Sequence, residues 1–363
     1  MRVGILTGGG DCPGLNPAIR GAVMRGIDFG FEMVGIEEGW RGMMEMMTTP
    51  LTLDSVDDIL ARGGTILGSS RTNPFKNEAD AQVAMENFRA MNLDALIAIG
   101  GDDTLGVANK LYQRGFQTVG VPKTMDNDLS LTDYTFGFDT AVSVAVDAVD
   151  RLRDTARSHR RIMVVEAMGR NAGWVALFSG LAGDADWILI PEVETDYKEM
   201  CAHLKSVFER GKRYGIVVAS EGVNFLTSSS EHRSQLSAKS QAIFQEVEEE
   251  AKRGGKTDSF GHPTLSEQKV GPRIAEIIEN ETGIETRSVV LGHIVRGGAP
   301  TVFDRILGTR VGVKAAEMVK DGEWGKMAAL RGLDVVAVPL ADAVGVNKQV
   351  PPDWYETARI FFK

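Results

Sequence analysis

Short apolar runs rich in β-branched residues punctuate this chain, and amphipathic stretches separate them. The runs predict buried strands at 3–7, 95–99, 118–121, 162–166, 188–190, 216–219, 288–291 and 335–338. The intervening stretches predict helices at 17–29, 80–91, 105–114, 141–158, 197–213 and 310–319. Within 141–158, Val142, Ala145, Val146, Val149 and Leu152 recur at helical spacing. Strands that alternate with helices predict an α/β fold with mostly parallel sheets covered by helices. Several strands run into glycine turns: 3–7 meets Gly8-Gly9-Gly10, 95–99 meets Gly100-Gly101, and 162–166 is soon followed by Gly169. Open α/β sheets bind ligands at such carboxyl ends.

Length and charge narrow the picture. The 363 residues suggest two domains, and 43% hydrophobic with 25% charged residues is ordinary for a globular protein. A net charge of −10 argues against bulk electrostatic binding of nucleic acid or an anionic membrane. A polyanionic substrate must therefore be held by locally placed cations and backbone N–H groups. Glycine is enriched, at 41 residues against a usual share of about 7%. Cys12 and Cys201 make no disulfide framework. With no leader-like segment at 1–7 and no apolar stretch long enough to span a bilayer, the expected location is the cytoplasm. The serine- and charge-rich stretch 224–265 reads as an inserted surface segment holding a helix between loops.

Three loops carry the densest chemistry. In Thr7-Gly8-Gly9-Gly10-Asp11-Cys12-Pro13-Gly14-Leu15-Asn16-Pro17, Asn16 reads as a helix N-cap and Pro17 as the first helical residue. The glycines would let backbone approach an anion, although the dinucleotide and Walker patterns are both absent. Gly100-Gly101-Asp102-Asp103-Thr104 places two carboxylates after a strand, where one can hold Mg²⁺ or the pair can simply start a helix. Pro122-Lys123-Thr124-Met125-Asp126-Asn127-Asp128 joins a lysine, a hydroxyl and two carboxylates, a set suited to phosphoryl transfer or to an Asx-rich turn. Met168-Gly169-Arg170, Glu221-Gly222, Glu285-Thr286-Arg287 and Gly292-His293-Ile294-Val295-Arg296-Gly297-Gly298 add arginines and a histidine suited to a sugar phosphate.

These motifs, in this order, resemble the 6-phosphofructokinase family from end to end. The resemblance implies two similar α/β domains with the active site between them. The donor domain would comprise 1–137 and about 296–345. The fructose 6-phosphate domain would comprise 138–295 and about 346–363. It further implies Asp126 as the base for the sugar 1-hydroxyl, Thr124 and Asp128 beside it, and Arg170 near the transferred group. Asp102 would be the Mg²⁺ ligand, with Gly9, Gly10 and Arg71 on the donor side. Thr124, Met125, Asp126, Arg161, Met168, Gly169, Arg170, Glu221, Arg287, His293 and Arg296 would form the fructose 6-phosphate site. Arg161 and Arg287 would reach it from a neighbouring subunit, which implies a homo-oligomer.

The chain departs from the compact ATP-using members at two positions. Asp103 stands where they have glycine, and Lys123 where they have a second glycine. That pair resembles the pyrophosphate-dependent members, although some ATP-using ones also carry the lysine. A carboxylate at Asp103 facing an ATP α-phosphate would cost on the order of several kcal/mol at an effective dielectric near 20. The alternatives are an ATP-dependent phosphofructokinase, a kinase of the NAD or diacylglycerol group, and a non-catalytic sugar-phosphate-binding subunit. Only basic Arg20 and Arg153 match the family's nucleotide-effector pattern, which argues against control of that kind.

Overall fold

The computed structural model describes residues 1–253, 260–261 and 269–362. Its strands, in chain order, are β1 (Arg2–Thr7), β2 (Glu32–Ile36), β3 (Thr48–Leu51), β4 (Ala95–Gly100), β5 (Thr118–Pro122), β6 (Ile162–Ala167), β7 (Trp187–Leu189), β8 (Gly215–Ser220), β9 (Thr286–Val290), β10 (Lys326–Arg331) and β11 (Asp334–Pro339). Every residue of β4, β5, β6 and β8 is buried, the pattern required when helices cover both faces of a sheet.

The chain divides into two compact units. Met1–Thr140 and Arg296–Lys348, with Phe260 and Gly261, make the first; the second takes the described residues of 141–253, 269–295 and 349–362. The helix Phe138–His159 carries the chain out of the first unit; the chain is back in it at Arg296 and leaves it again between Lys348 and Gln349.

In the first unit the sheet order is β11-β10-β5-β4-β1-β2-β3, with β3 and β11 antiparallel at the edges and the rest parallel. The registers Thr7↔Ile99 and Gly100↔Pro122 bring the ends of β1, β4 and β5 to one edge. One face of this sheet packs into an apolar cluster that includes Leu6, Trp40, Leu96, Leu105, Leu111, Met327 and Leu340.

The second unit has a smaller, all-parallel sheet, ordered β7-β8-β6-β9. Ala167↔Ser220 and Glu166↔Val290 align the ends of β6, β8 and β9. The two units thus share a parallel core but differ in strand number and edge design.

Two expectations require correction. Asn16 is not an N-cap: the helix begins at Leu15 after Gly14, and Pro17 is its third residue. Proline is tolerated there because the N–H groups of a first turn have no intrahelical acceptor. Asn16 is fully buried instead. Its Nδ2 donates to Arg62 O at 2.9 Å and its Oδ1 accepts from Ile66 N at 2.9 Å, which pins the 62–66 loop. The stretch 224–265 is also no loose surface insertion in its described part. Phe225, Leu236, Ile243 and Phe244 are buried in the second unit's core, with the helix Ala238–Arg253 tied to the helix Val270–Thr282 by Arg273 and Glu250 at 2.7 Å. Residues 254–259 and 262–265 lie outside the described residues.

Candidate active site

Three loops converge on the carboxyl edge of the first unit's sheet. The Gly8–Gly10 loop continues the ladder, with Gly8 N donating to Ile99 O at 2.9 Å and Gly9 N to Ser70 O at 3.2 Å. Arg71 follows Ser70 directly and is exposed beside that loop. Lys123 leaves the end of β5, is only 4% exposed, and donates Nζ to Gly10 O at 2.5 Å. Burial lowers the pKa of this ammonium, with the neighbouring Cys12, Asp126 and Asp11 opposing the shift and Arg296 adding to it. Arg296 also belongs to this unit: its Nη1 donates to Asp11 O at 3.0 Å. A side chain at Gly10 would have to sit 2.6 Å from that Nη1, so glycine is needed for the guanidinium to lie on the backbone. Gly9 also faces the lysine, since a methyl there would be 3.6 Å from Nζ.

Asp102 and Asp103 occupy the first turn of the helix Asp102–Gln113, where its dipole favours negative charge. Gly345 N donates to Asp102 Oδ1 at 2.7 Å. Beyond Lys123 the chain alternates. Met125, Asn127 and Leu129 are buried, while Thr124, Asp126 and Asp128 are half-buried. Thr124 Oγ1 accepts from Asp126 N at 3.1 Å, and Thr135 Oγ1 donates to Thr124 O at 2.6 Å. Burial pushes the Asp128 carboxyl up to about 6, with Asp126 and then Asp102 adding repulsion against a hydrogen bond from Thr124.

In the second unit, Met168, Gly169 and Arg170 follow β6, and Glu221 follows β8. Ser220 Oγ donates to Gly169 O at 2.6 Å, and Gly169 N reaches Glu221 Oε1 at 3.4 Å. Gly222 passes beneath this loop; a side chain there would collide with Arg170 O at 2.2 Å. His293 follows β9 on the short helix Gly292–Arg296 and is exposed. Arg161 and Arg287 are not at this edge. Arg161 immediately precedes β6 and Arg287 pairs with Met163 at its start, so both lie at the amino end of the parallel sheet. There they share Glu285, at 3.4 Å from Arg161 and 2.9 Å from Arg287. A strand of six residues separates them from Met168, roughly 20 Å at the usual rise.

Residues 2–319 match the family model described as Phosphofructokinase. The chain belongs to the phosphofructokinase family. Curated relatives span its whole length. A pyrophosphate--fructose 6-phosphate 1-phosphotransferase of Dictyoglomus thermophilum is 52% identical over 100% of this chain and 99% of its own, and one of Amycolatopsis methanolica is 51% identical over 100% of each. An ATP-dependent 6-phosphofructokinase 3 of Streptomyces coelicolor is 46% identical over 99% of each. Among solved structures, Pichia pastoris phosphofructokinase superposes with a TM-score of 0.76 at 28% identity; 99% of this chain spans 36% of that one. A pyrophosphate-dependent phosphofructokinase of Nitrosospira multiformis shares the fold, with a TM-score of 0.78 at 20% identity over 97% of this chain and 86% of its own.

Mg²⁺, which this phosphofructokinase sequence implied, fits the donor set. Asp102, Asp126 and Asp128 place carboxylate oxygens within one electrostatic neighbourhood, the kind of hard ligand that Mg²⁺ takes. Among the described residues no group of three or more His, Cys, Asp or Glu is arranged to enclose a metal ion. Mg²⁺ is commonly held by one or two carboxylates together with substrate phosphates and water. Among the described residues no helix is long and apolar enough to cross a membrane.

Sequence reading missed Lys348. Burial lowers its ammonium to about 8, and its Nζ donates to Asn127 Oδ1 at 2.9 Å, directly behind Asp126 and Asp128. No motif marks it, because its partners are more than two hundred residues away.

Proposed function

We propose that this phosphofructokinase transfers a phosphoryl group from pyrophosphate to the 1-hydroxyl of fructose 6-phosphate, giving fructose 1,6-bisphosphate and phosphate. The observation that carries this reading is the pairing of two groups at one sheet edge: Asp103 on the first helical turn after β4, and buried Lys123 on the Gly10 carbonyl after β5. Asp103 denies space and favourable charge to a third phosphate, while Lys123 supplies positive charge to the leaving phosphate. The curated relatives named for pyrophosphate, at 48–52% identity, are consistent with it.

In this reading Asp126 accepts the proton of the attacking hydroxyl, Thr124 orients the Asp126 turn, and Arg170 stabilises the transferred group. Gly9, Gly10 and Arg71 bind the donor phosphates through backbone and a cation, while Arg296 belongs to the sugar-phosphate site. Met125, Met168, Gly169, Glu221 and His293 bind the sugar phosphate. Asp102, with Asp128 nearby, would hold Mg²⁺, which neutralises phosphate charge when bound. The amino-edge position of Arg161 and Arg287 supports their serving a second copy's site in a homo-oligomer of the cytoplasm. The first unit would then bind the donor and the second the sugar phosphate. Because pyrophosphate and the bisphosphate product are close in transfer potential, the reaction runs readily in both directions.

ATP as donor is the second reading, favoured by the full-length ATP-dependent relatives at 44–46% identity. A donor comparison with pure enzyme decides: kcat/KM for pyrophosphate should exceed that for ATP, and the reverse order would reject the donor assignment.

A further inference from the structure

A single stretch near the carboxyl end touches, one residue after another, the loops that carry the candidate site. Gly345 N donates to Asp102 Oδ1 at 2.7 Å. Val346 O accepts from Ser130 Oγ at 2.7 Å, and Asn347 forms a β-bridge with Leu129. Lys348 N donates to Asp128 O at 2.7 Å, and its Nζ is divided among Asn127 Oδ1, Thr132 O and Asp133 O at 2.9, 3.0 and 2.9 Å. The chain then enters the second unit, and the contacts continue. Gln349 Nε2 donates to Asn171 O at 2.9 Å, adjacent to Arg170. Val350 N donates to Glu192 Oε1 at 3.0 Å, and the same carboxylate accepts from Gly173 N at 3.0 Å.

These are directional bonds to backbone carbonyls and to the side chains of Asp102, Asn127, Ser130 and Glu192, not bulk packing. Asn127 shows why the lysine matters. It adopts a left-handed conformation, with φ of 53°, between the two carboxylates. Its Oδ1 accepts from Thr135 N at 3.2 Å as well as from Lys348. The lysine thus fixes a side chain that, together with Thr124, holds the turn on which Asp126 and Asp128 sit. A strained turn of this kind persists only where its surroundings over-determine it. A displacement of about 1 Å in a reacting group can cost about a hundredfold in rate.

We propose that Gly345–Val350 is a positioning strap for phosphoryl transfer. Lys348 holds the Asp126–Asp128 turn and Gln349 holds the Arg170 loop. This rests on the phosphofructokinase reading of those loops, but not on which donor is used.

The test uses full-length enzyme with three substitutions, Lys348→Met, Lys348→Arg and Gln349→Ala. Wild type is first assayed with pyrophosphate and with ATP, and the better donor is used throughout, so a wrong donor assignment shows at that stage alone. Lys348→Met should lower kcat by about ten- to a hundredfold, with KM for both substrates within about threefold. Lys348→Arg should recover part of kcat. Gln349 is exposed, so Gln349→Ala folds normally and should lower kcat several-fold with Tm unchanged. Hydrogen exchange supplies a readout free of turnover: amides of 124–135 should lose protection in Lys348→Met, and those of 170–173 in Gln349→Ala. Wild-type kcat and unchanged exchange in both variants would overturn the proposal. So would a Lys348→Met loss that Lys348→Arg does not relieve and that is matched by loss of protection throughout the first unit. If Lys348→Met does not fold, Gln349→Ala decides alone.

Discussion

Lys123 Nζ and the Gly10 carbonyl oxygen lie 2.5 Å apart, so the lysine that leaves β5 is anchored on the backbone of the glycine loop that leaves β1. The ammonium is buried, and burial biases it towards the neutral form. An anion arriving at that loop would reverse the bias. If Lys123 stabilises the leaving phosphate, Lys123→Met should reduce kcat by about 10²–10³, the usual size of a lost preorganised electrostatic contact. Tm should change little, since methionine fills a similar buried volume. Steady-state kinetics beside thermal melts check this; a kcat within threefold of wild type would leave Lys123 as no more than a structural partner of Gly10.

Asp103 makes the opposite prediction. Replacing it with glycine removes a carboxylate from the first helical turn, and with it a repulsion on the order of several kcal/mol towards a third phosphate. The kcat/KM for ATP should rise by about tenfold or more while that for pyrophosphate falls. An ATP value that stays put would remove the exclusion mechanism even if pyrophosphate remains the preferred donor.

Arg161 and Arg287, tied to Glu285 at the amino end of the second sheet, predict complementation. Chains carrying Asp126→Ser or Arg287→Ala should each be nearly inactive. Mixed after partial dissociation, they should regain roughly a quarter of wild-type activity, the statistical share when copies pair at random. Activity that stays at the sum of the two parents would show that each chain completes its own site.

Asp304 carries a prediction about stability. It is fully buried, accepts from Thr140 N at 2.8 Å and Thr140 Oγ1 at 2.5 Å, and burial pushes its carboxyl up to about 6. The folded state therefore holds the proton more tightly than the unfolded chain, whose carboxyl titrates near 3.8. Stability from this group is complete below that lower value and is lost as pH rises through about 6, by about 3 kcal/mol in all. Asp304→Asn keeps an acceptor for Thr140 without the charge. Its urea midpoint should gain on wild type between pH 4 and pH 6 and hold a constant lead above. A lead independent of pH would mean that Asp304 is ionised at no such cost.

The sequence exposed these strands because they are short and β-branched, and β4, β5, β6 and β8 are buried throughout; all eight expected runs are strands within two residues. It concealed β3, where Pro50 argues against a strand and is tolerated only because β3 is an edge. It concealed β10, whose Met-Ala-Ala-Leu prefers helix and is held extended by β5 and β11. The helix Trp174–Ala182 is buried on nearly every side, which erases helical periodicity. At the site, glycine turns after strands flagged the loops, since local backbone geometry is written locally. The strap could not be read this way: Gly345–Lys348 looks like a polar surface stretch, and its meaning comes only from partners brought near by the fold.

The alternation from Lys123 to Ser130 divides that loop into two alphabets. Asn127 and Leu129 are buried and answerable to packing, Thr124, Asp126 and Asp128 are half-buried and answerable to chemistry, and buried Met125 answers to both. A redesign for another alcohol acceptor can therefore vary the half-buried positions other than Asp126, the proposed base, while leaving the buried ones untouched. A library drawn that way should contain far fewer unfolded members than one that varies the whole loop.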